Sequence, residues 1–579
     1  MYTIDRYTIP EVIQKSSERY ADRPALAMVG GKPVFYREIE SRTRRIAATL
    51  GLLGIKKGDR VALLSENRPE WGLAYFGIVR AGAIAVPIMV DFTVEQIGNI
   101  LSHSESKALV VSPRLLPKAP DKAGGPMLLS IDGLAVLPSA SAPHAPTDAE
   151  IEKAAASFSD PSIVADELAS IIYTSGTMGA SKGVMLTHRN FVFDAVSARR
   201  FIILRRTDRL LSILPLAHAY EFTIGFLIPM IQGSAVYYLD RPPSATALLP
   251  ALAEVRPTIM LSVPLVIEKV YRASVKPALD KISLYGKVPA LRPLFERIAG
   301  LKLYRTFGGR LRFFGIGGAP LAADVESFLH NARFPYSIGY GLTETAPLIA
   351  GNKPGRVRVH TTGFPSANVE LRVADRRPDT GEGEIQARGL NVFPGYYKDP
   401  GRTAEAFTAD GWFRTGDLGV MDESGRVTVR GRLKTMILGA SGENIYPEEI
   451  EALLNSSPYV LESLVYGDEK GLTALVHLKP EVVEGFTLQG IAARVKDRVE
   501  EAEVAADNLG KAMGAAAHHA GESIEGAEKA VAQILERVKR EANARLAGFS
   551  RLARVEHQVE PFEKTPKQSI KRFLYPMKK

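Results

Sequence analysis

The sequence predicts an α/β fold, with a large N-terminal domain of layered α/β subdomains plus a β subdomain, and a small α+β C-terminal domain. Short apolar runs alternate with helical patterns from about residue 10 to 111 and again from 169 to 349, which is typical of layered α/β structure. Glycine-rich turns then separate short β segments between residues 363 and 430. At 579 residues the chain exceeds the length of a typical domain, so we expect several packed subdomains.

The elements follow in order along the chain. We expect strands at 25–28, 33–36 and 60–64, with a helix that ends near residue 50. Residues 112–148 are rich in Pro, Ala, Gly and Ser, so we predict a surface excursion without chemistry. The second α/β stretch has strand-like runs at 170–173, 209–214, 235–239, 258–261 and 312–316.

The domain organisation predicted from these patterns has three parts. Residues 1–431 form the N-terminal domain, 432–434 a hinge, and 435–579 the C-terminal domain. A helix is expected over 445–454. Residues 488–546 have the Ala, Glu, Lys and Arg content of helices, and Gly510, Gly514 and Gly521 are positions where a helix would be interrupted.

Composition excludes several classes of protein. Hydrophobic residues make up 46% and charged residues 24%, which indicates a globular protein and excludes collagen-like or wholly disordered chains. The net charge of +9 could favour anionic ligands or anionic membrane surfaces, but it is spread along the chain and alone decides little. We expect no nucleic-acid partner. The chain has no cysteine, which excludes disulfides, a thiolate nucleophile and Cys-based metal sites.

The same patterns predict a cytoplasmic location. The N-terminus lacks the basic start and apolar run of a secretory signal. The apolar stretch 222–233 is about half the roughly 20 residues of a spanning helix, so we interpret it as a core segment. The alanine-rich helical segment leaves open a peripheral contact with the inner face of a membrane, although its apolar positions from 502 to 532 are mostly alanine rather than large anchors.

The loop at residues 173–183, Tyr-Thr-Ser-Gly-Thr-Met-Gly-Ala-Ser-Lys-Gly, is the strongest chemical signal. Its glycines, hydroxyls and single lysine can surround a polyphosphate and neutralise it. It is not a Walker A loop, because no glycine directly precedes Lys182 and no Ser or Thr follows it. On chemistry alone, a phosphate loop and a flexible surface loop both remain open.

Residues 174–182 resemble the signature phosphate loop of the adenylate-forming superfamily, which includes acyl-CoA synthetases, luciferases and peptide-synthetase adenylation domains. Further segments resemble that family in the same order, and 67–71 and 214–221 are similar to long-chain fatty acyl-CoA synthetases. The remaining segments are 315–320 (adenine turn), 340–345 (adenine, α-phosphate and magnesium), 411–417 (ribose), 431–434 (hinge) and 439–447 (thioester-forming loop).

The resemblance implies a role for each matching residue. Glu344 would hold Mg²⁺, a cation that prefers oxygen ligands, and Lys182 would neutralise phosphate charge. Asp417 would accept ribose hydroxyls, and Tyr340 would stack on adenine. The implied ATP-binding set is Thr174, Ser175, Gly176, Thr177, Gly317, Gly318, Ala319, Tyr340, Gly341, Thr343, Asp417 and Arg432. The implied acyl-binding set is His218, Tyr220 and Gly341, the hinge residue is Lys434, and the coenzyme A loop contains Gly442 and Glu443.

One departure from the family lies near the C-terminus. The resembling enzymes have a catalytic lysine just before an isoleucine, and this position is Ser569 here. If the segment is extended, Lys567, Ser569 and Lys571 project to the same side, with neighbours about 6.6 Å apart. The resembling family already tends to have a basic residue at the place of Lys571, so we predict that Lys567 replaces the missing lysine. The full set of candidate catalytic residues is Thr174, Lys182, Glu344, Lys567, Ser569 and Lys571.

The function implied is ATP-dependent activation of a medium- or long-chain fatty acid through acyl-AMP, followed by transfer to coenzyme A, with a C-terminal domain that is mobile about the hinge. ATP, Mg²⁺ and coenzyme A would be required, and the sequence leaves the oligomeric state open. Two alternatives also stay open, an acyl-carrier-protein ligase and a catalytically weakened acyl- or nucleotide-binding homologue, the second because of Ser569.

Overall fold

The computed structural model describes residues 2–120, 124–139, 141, 144–174, 182–438, 444–468, 471–484, 529–564 and 570–575. Two compact units are defined by contacts within the chain: residues 1–415 with 419–429, and residues 416–418 with 430–579. No helix in the part of the chain that the structure describes is long and apolar enough to cross a bilayer.

The strands within the described ranges are β1 (Pro24–Met28), β2 (Val34–Phe35), β3 (Arg60–Leu64), β4 (Ile84–Pro87), β5 (Ala108–Val111), β6 (Met127–Ser130), β7 (Leu168–Thr174), β8 (Lys182–Thr187), β9 (Arg209–Ser212), β10 (Ala235–Tyr238), β11 (Ile259–Ser262), β12 (Phe313–Ile316), β13 (Tyr336–Gly341), β14 (Leu348–Gly351), β15 (Phe364–Pro365), β16 (Glu370–Ala374), β17 (Gly383–Arg388), β18 (Gly395–Tyr396), β19 (Phe413–Met421), β20 (Val427–Arg432), β21 (Ile437–Leu438), β22 (Asn444–Ile445), β23 (Val460–Asp468), β24 (Gly471–Leu478) and β25 (Leu552–His557).

The α-helices in the same ranges are α1 (Ile9–Arg19), α2 (Tyr36–Leu52), α3 (Pro69–Arg80), α4 (Val94–Ser104), α5 (Asp148–Ser157), α6 (His188–Ser197), α7 (Ile228–Gln232), α8 (Ala245–Val255), α9 (Pro264–Val270), α10 (Lys276–Asp280), α11 (Ser283–Lys287), α12 (Arg292–Thr306), α13 (Ala323–Asn331), α14 (Pro400–Ala406), α15 (Pro447–Asn455) and α16 (Pro480–Glu484). Residues 529–543 are also helical.

Threonine caps define where several helices begin. Thr8, Thr93, Thr147 and Thr187 each precede a helix, and the side-chain oxygen of each accepts a backbone N–H three residues ahead. Such a bond satisfies one of the amide groups left without a partner in the first helical turn. The cap at Thr187 turns the chain directly from β8 into α6.

Two large sheets organise the first unit. The nine-stranded sheet has the order β15-β14-β13-β12-β11-β9-β10-β1-β2, and its strands from β13 to β1 run parallel. The seven-stranded sheet has the order β18-β8-β7-β4-β3-β5-β6. A four-stranded sheet, β16-β17-β19-β20, follows in the chain. These layers confirm the predicted α/β class and the β segments between residues 363 and 430.

One segment differs from its prediction. Residues 112–148 were expected to form only a surface excursion, but Met127–Ser130 pairs in parallel with β5 and becomes an edge strand of the seven-stranded sheet. The reason is local, because the buried pair Leu128 and Leu129 supplies enough apolar contact for a four-residue strand between polar turns.

The second unit has its own core. Its sheet has the order β23-β24-β25, in which β23 is antiparallel and β25 parallel to β24. Leu535, Val538 and Ala542 from the helix at 529–543 share a buried cluster with Ile450 and Leu454 of α15. Residues 488–528 of the predicted helical segment lie outside the described residues.

Candidate active site

Three of the segments with predicted roles lie at one edge of the nine-stranded sheet. Strands β9, β12 and β13 are parallel members of that sheet, so their carboxyl ends meet at the same edge. Residues 214–221 follow β9, Gly317 follows β12, and Thr343 follows β13. The carboxyl edge of a parallel sheet is where α/β proteins most often bind their ligands.

The phosphate-loop segment connects two strands of the other large sheet. Thr174 ends β7 and Lys182 begins β8, and the two residues are paired across this antiparallel connection. The Thr174 hydroxyl oxygen is buried without a hydrogen-bond partner among the described residues. A buried polar atom without a partner is costly, so this hydroxyl is suited to contact a bound ligand. Ser175, Gly176 and Thr177 lie outside the described residues.

Lys182, Glu344 and Tyr396 form a compact triangle. The Lys182 ammonium donates to Glu344 Oε1 at 2.6 Å and lies 2.9 Å from the Tyr396 hydroxyl. Tyr396 also donates to Glu344 Oε1, at 2.9 Å. The ammonium lies 4.5 Å from the centre of the Tyr396 ring, which adds a cation–π contact. The structure therefore brings together the predicted phosphate-neutralising lysine and the predicted metal-binding carboxylate.

The charge of Glu344 depends on this triangle. The side chain is buried, and burial raises the pKa of a carboxyl group. The charge and hydrogen bond of Lys182, with the hydroxyl of Tyr396, outweigh that effect, so the pKa of Glu344 lies below its usual value. Glu344 is thus an ionised carboxylate at neutral pH, despite its burial.

The short turn that carries Glu344 is held from several sides. The Thr345 hydroxyl donates to the Pro347 carbonyl at 2.6 Å, and the Asn391 amide donates to the Thr345 carbonyl at 2.9 Å. The Glu344 carbonyl accepts the backbone N–H of Phe393 at 2.9 Å. A Cβ at Gly341 would lie only 1.7 Å from the Pro347 carbonyl oxygen, so this position admits glycine alone.

The predicted adenine-contacting residues occupy the ends of β12 and β13. Gly317 is buried, whereas Gly318 and Ala319 are exposed at the sheet edge. Gly318 has φ +88°, a left-handed conformation that favours glycine. Tyr340 is half-buried near the end of β13, and Thr343 is buried in the turn that follows. Of these residues, Gly318 and Ala319 are the ones most accessible from solvent.

The predicted acyl-wall segment forms a turn beside an apolar cavity. His218 Nδ1 accepts the backbone N–H of Tyr220 at 3.1 Å, so the half-buried imidazole stabilises the turn itself. The cavity encloses about 20 Å³, roughly one water molecule, and its lining includes Tyr220, Ile224, Leu261, Phe201, Ile202 and Ile338. An acyl chain can enter this space only if some of these side chains move.

A buried glutamate is the last residue of this segment. Glu221 begins a π-helical turn that extends to Leu227, and its Oε1 accepts the Ser212 hydroxyl at 2.5 Å. Its Oε2 is buried without a partner among the described residues. Burial raises the pKa of Glu221 to about 8, so the carboxyl is mainly protonated at neutral pH.

Asp417 and Arg432 contact each other within the second unit. Arg432 Nε lies 2.8 Å from Asp417 Oδ1, and the Asp417 side chain is 5% exposed whereas that of Arg432 is 54% exposed. A buried carboxylate held by an exposed guanidinium fits a polar ligand site. Lys434 is exposed in the turn that follows Arg432. Gly442 and Glu443 lie outside the described residues.

The C-terminal candidates are only partly described. Lys571 Nζ forms an ion pair with Glu563 Oε2 at 3.0 Å, and Lys564 and Ile570 form an antiparallel bridge. Lys567 and Ser569 lie outside the described residues, so their roles stay predictions.

Sequence reasoning missed Tyr396. This residue is part of β18, which pairs antiparallel with β8. Tyr396 lies opposite Val184, two residues after Lys182 in β8. The sequence offers only a Pro-Gly turn followed by two tyrosines, at 394–397, which has no specific chemical pattern. The signal depends on a long-range strand pairing that a linear sequence does not display.

The donor set at Glu344 fits a magnesium ion. Mg²⁺ is commonly bound through one or two carboxylates, with substrate phosphates and water as the other ligands. Glu344 supplies one ionised carboxylate. Among the described residues no group of three or more His, Cys, Asp or Glu side chains could hold a metal without such additional oxygens.

Comparison with known proteins gives a consistent family match. The model of the AMP-binding enzyme family matches residues 13–397. A long-chain-fatty-acid–CoA ligase, FadD15 of Mycobacterium bovis, is 34% identical over 479 residues, which is 76% of this chain and 76% of that protein. A long-chain-fatty-acid–CoA ligase of Escherichia coli is 30% identical over 507 residues, covering 81% of this chain and 84% of the ligase.

The fold is also found among solved structures. ATP-bound MatB from Rhodopseudomonas palustris has a TM-score of 0.71 with 24% sequence identity, and the alignment covers 98% of both chains. This likeness concerns the fold.

Proposed function

Because this chain belongs to the AMP-binding enzyme family, we propose that it is an ATP-dependent long-chain fatty acyl-CoA synthetase. It joins a fatty acid to coenzyme A through an acyl-adenylate, and ATP and coenzyme A are its substrates. The structural observation that best supports the proposal is the contact between Lys182 and Glu344, where the phosphate-loop strand meets the turn after β13.

Two displacements complete the reaction. A carboxylate oxygen of the acid first bonds to the α-phosphorus of ATP, and the bond from that phosphorus to the bridging oxygen breaks to release pyrophosphate. The sulfur of coenzyme A then bonds to the acyl carbon, the bond from that carbon to the phosphate oxygen breaks, and AMP leaves while the thiol proton passes to solvent. Neither step requires a nucleophile from the protein.

The first step concentrates negative charge on the phosphates. Lys182 and the hydroxyls of Thr174, Thr177 and Thr343 are the groups that we propose to stabilise it, because preorganised donors and charges are the main contribution in such displacements. Glu344 would hold Mg²⁺, which supplies charge neutralisation when bound. Tyr396 holds both Lys182 and Glu344, so we assign it a positioning role.

The nucleotide and acyl groups have separate proposed contacts. Gly317, Gly318, Ala319 and Tyr340 would contact adenine, while Asp417 and Arg432 would bind the ribose. His218, Tyr220 and Gly341 would border the acyl group. We further propose that rotation about Lys434 brings the loop containing Gly442 and Glu443 to the site for thioester formation.

The missing lysine at position 569 gives a separate test. Lys571 is already paired with Glu563, which favours Lys567 as the residue that contacts the acyl carboxylate during adenylation. Pyrophosphate exchange should fall in Lys567→Ala and rise in Ser569→Lys, whereas Lys571→Ala should change it little. A shifted lysine is poorly aimed, and a misplacement of about 1 Å can cost roughly 10²-fold in rate. No gain in Ser569→Lys together with no loss in Lys567→Ala would contradict the substitution.

The activity itself is tested by measuring AMP formation with a series of acids from acetate to oleate. Free coenzyme A and acyl carrier protein serve as alternative acceptors in parallel reactions. We expect the longer acids with coenzyme A to give the highest rates. Preference for acetate would contradict the assigned substrate class, transfer only to carrier protein would favour the carrier ligase, and no AMP with either acceptor would favour a weakened binding homologue.

We also propose a cytoplasmic location with peripheral contact at the inner membrane face. The absence of cysteine suits a reducing compartment. Long-chain acids partition into bilayers, since each buried methylene contributes about 0.8 kcal/mol, so a membrane is the natural source of this substrate.

A further inference from the structure

Helix α12 presents an apolar stripe to solvent. Leu294, Ile298 and Leu301 follow the i, i+4, i+7 spacing of one helical face, and they are 53%, 60% and 50% exposed. Large apolar side chains that are exposed singly are normal, but a contiguous row marks an interaction surface. We call this row the α12 stripe.

The opposite face of the helix explains why the stripe points outward. Glu296, Gly300 and Leu303 are buried, and a Cβ at Gly300 would lie 2.5 Å from the Cβ of Ala332. The close approach at Gly300 fixes the rotation of α12 about its axis. The α12 stripe therefore cannot turn inward without breaking this packing.

Basic side chains surround the stripe. On a helix with 100° per residue, Arg297 and Lys302 flank the row on its two sides, and Arg305 continues it by a further turn. The exposed basic residues between 281 and 306 are Lys281, Lys287, Arg292, Arg297, Lys302 and Arg305. The single acidic residue in that range, Glu296, is buried and accepts the Tyr285 hydroxyl at 2.8 Å.

A second short helix extends the apolar surface. Leu284 of α11 and Val288 directly after it are 50% and 38% exposed, and α11 packs beside α12. Large apolar residues bordered by Lys and Arg are the composition of helices that lie in the interface of a bilayer. In the alanine-rich helical segment, by contrast, the apolar positions from 502 to 532 are mostly alanine.

We propose that the α12 stripe and its basic border dock this protein on a bilayer that contains anionic lipids. Charge complementarity supports this occupant, since the cations would meet lipid phosphates. A second copy of the chain is disfavoured, because two such faces would oppose Arg297, Lys302 and Arg305 to like charges without an exposed carboxylate between residues 281 and 306 to pair with them. The inference rests on the proposed function in one respect, that a long-chain acid is found in bilayers.

Vesicle flotation tests the surface, with vesicles of equal parts phosphatidylcholine and phosphatidylglycerol compared with pure phosphatidylcholine. Neutralising the border in Arg297→Gln/Lys302→Gln/Arg305→Gln should weaken binding to the mixed vesicles roughly a hundredfold, at about fivefold for each cation, and leave binding to neutral vesicles unchanged. The stripe variant Leu294→Gln/Ile298→Gln/Leu301→Gln should weaken binding to both kinds of vesicle by at least about tenfold.

Matched controls use side chains of similar character elsewhere. Leu52, Val94 and Val164 are 46%, 51% and 56% exposed and are changed to Gln together, as are the exposed Lys32, Lys153 and Lys353. The proposal would be overturned if either patch variant floated like the wild type, or if the control variants lost as much vesicle binding. So would a stripe variant that changes the oligomeric mass in lipid-free buffer, because the face would then join copies of the chain.

A separate measurement keeps the proposed function distinct. Turnover of octanoate in lipid-free buffer should be the same in all variants, since the surface acts only on lipid. Wild-type protein that floats with mixed vesicles but activates no acid would contradict the synthetase function and support the surface. Normal turnover without vesicle binding would support the function and overturn the surface.

Discussion

Replacing Glu344 by Gln removes the charge at the centre of the site with little change in volume. The Lys182 ammonium and Glu344 Oε1 are 2.6 Å apart, so their gross attraction is about 6 kcal/mol at an effective dielectric constant of about 20. Most of this is offset by the desolvation of two charges. Because the Lys182 side chain is 27% exposed, water can partly solvate the ammonium once its partner is neutral.

The expected loss of stability is therefore moderate. We expect Glu344→Gln to lower the free energy of unfolding by about 2 kcal/mol, below the roughly 3–5 kcal/mol for breaking a fully buried pair. The loss of rate should be larger, about 10²-fold or more, since one preorganised electrostatic contribution to adenylate formation disappears. ATP affinity should change much less than the rate.

Pyrophosphate exchange measures the rate of adenylate formation, and equilibrium dialysis measures ATP binding. Tyr396→Phe is the matched control, because it removes the hydroxyl that donates to the same carboxylate oxygen and accepts from Lys182, each at 2.9 Å, and keeps the charge. Its exchange rate should fall by less than that of Glu344→Gln, because the ionised carboxylate remains in place. An unchanged exchange rate in Glu344→Gln, or an equal loss in Tyr396→Phe, would refute the assignment.

Three further predictions address other parts of the chain. Asp417→Asn should weaken ATP binding at least about tenfold, because the ribose hydroxyls lose a charged acceptor, and calorimetric titration would exclude the role if affinity were unchanged. Gly341→Ala should lower the melting temperature by several degrees, since its Cβ would meet a backbone carbonyl at 1.7 Å, whereas Gly98→Ala in α4, with open space around it, should not. Glu221 has a folded-state pKa of about 8, above the ordinary 4.5. Its protonation therefore stabilises the fold fully below pH 4.5, and that contribution declines by about 1.4 kcal/mol per pH unit until pH 8. Relative to wild type, Glu221→Gln should show a flatter dependence of unfolding free energy on pH between 4.5 and 8, and parallel curves would show that this carboxyl is not protonated.

Much of the fold was accessible from sequence because its strands are short, apolar and bounded by turn residues. The predicted runs at 25–28, 60–64 and 235–239 coincide with β1, β3 and β10 to within a residue. Strand β6 was missed because the proline- and glycine-rich residues around Met127–Ser130 dominate the local pattern. An edge strand needs only one neighbour, so a four-residue run is enough.

Site residues could be proposed from sequence where a segment has its own chemical pattern, and not where a contact depends on pairing between distant strands. Lys182 and Glu344 were each proposed from local motifs, and parallel strands explain why the segments after β9, β12 and β13 lie at one edge of the sheet. Tyr396 reaches this pair through the antiparallel pairing of β18 with β8, a register that local composition does not encode.

Two segments that resemble long-chain synthetases, 67–71 and 214–221, turn out to be parts of one hydrogen-bonded network. The Asn67 amide donates to the Leu214 carbonyl at 2.6 Å and to the Ser212 hydroxyl at 3.1 Å, and its carbonyl oxygen accepts the Leu216 N–H at 2.9 Å. Ser212 in turn donates to Glu221 at 2.5 Å. The half-buried Asn67 thus holds the start of the predicted acyl-wall segment, and the buried Glu221 ends it. A carboxyl with a pKa near 8 suits this position because it is mainly uncharged at neutral pH. An ionised carboxyl at this position would require a buried cation beside the apolar cavity, so the uncharged network positions the segment without placing a charge there.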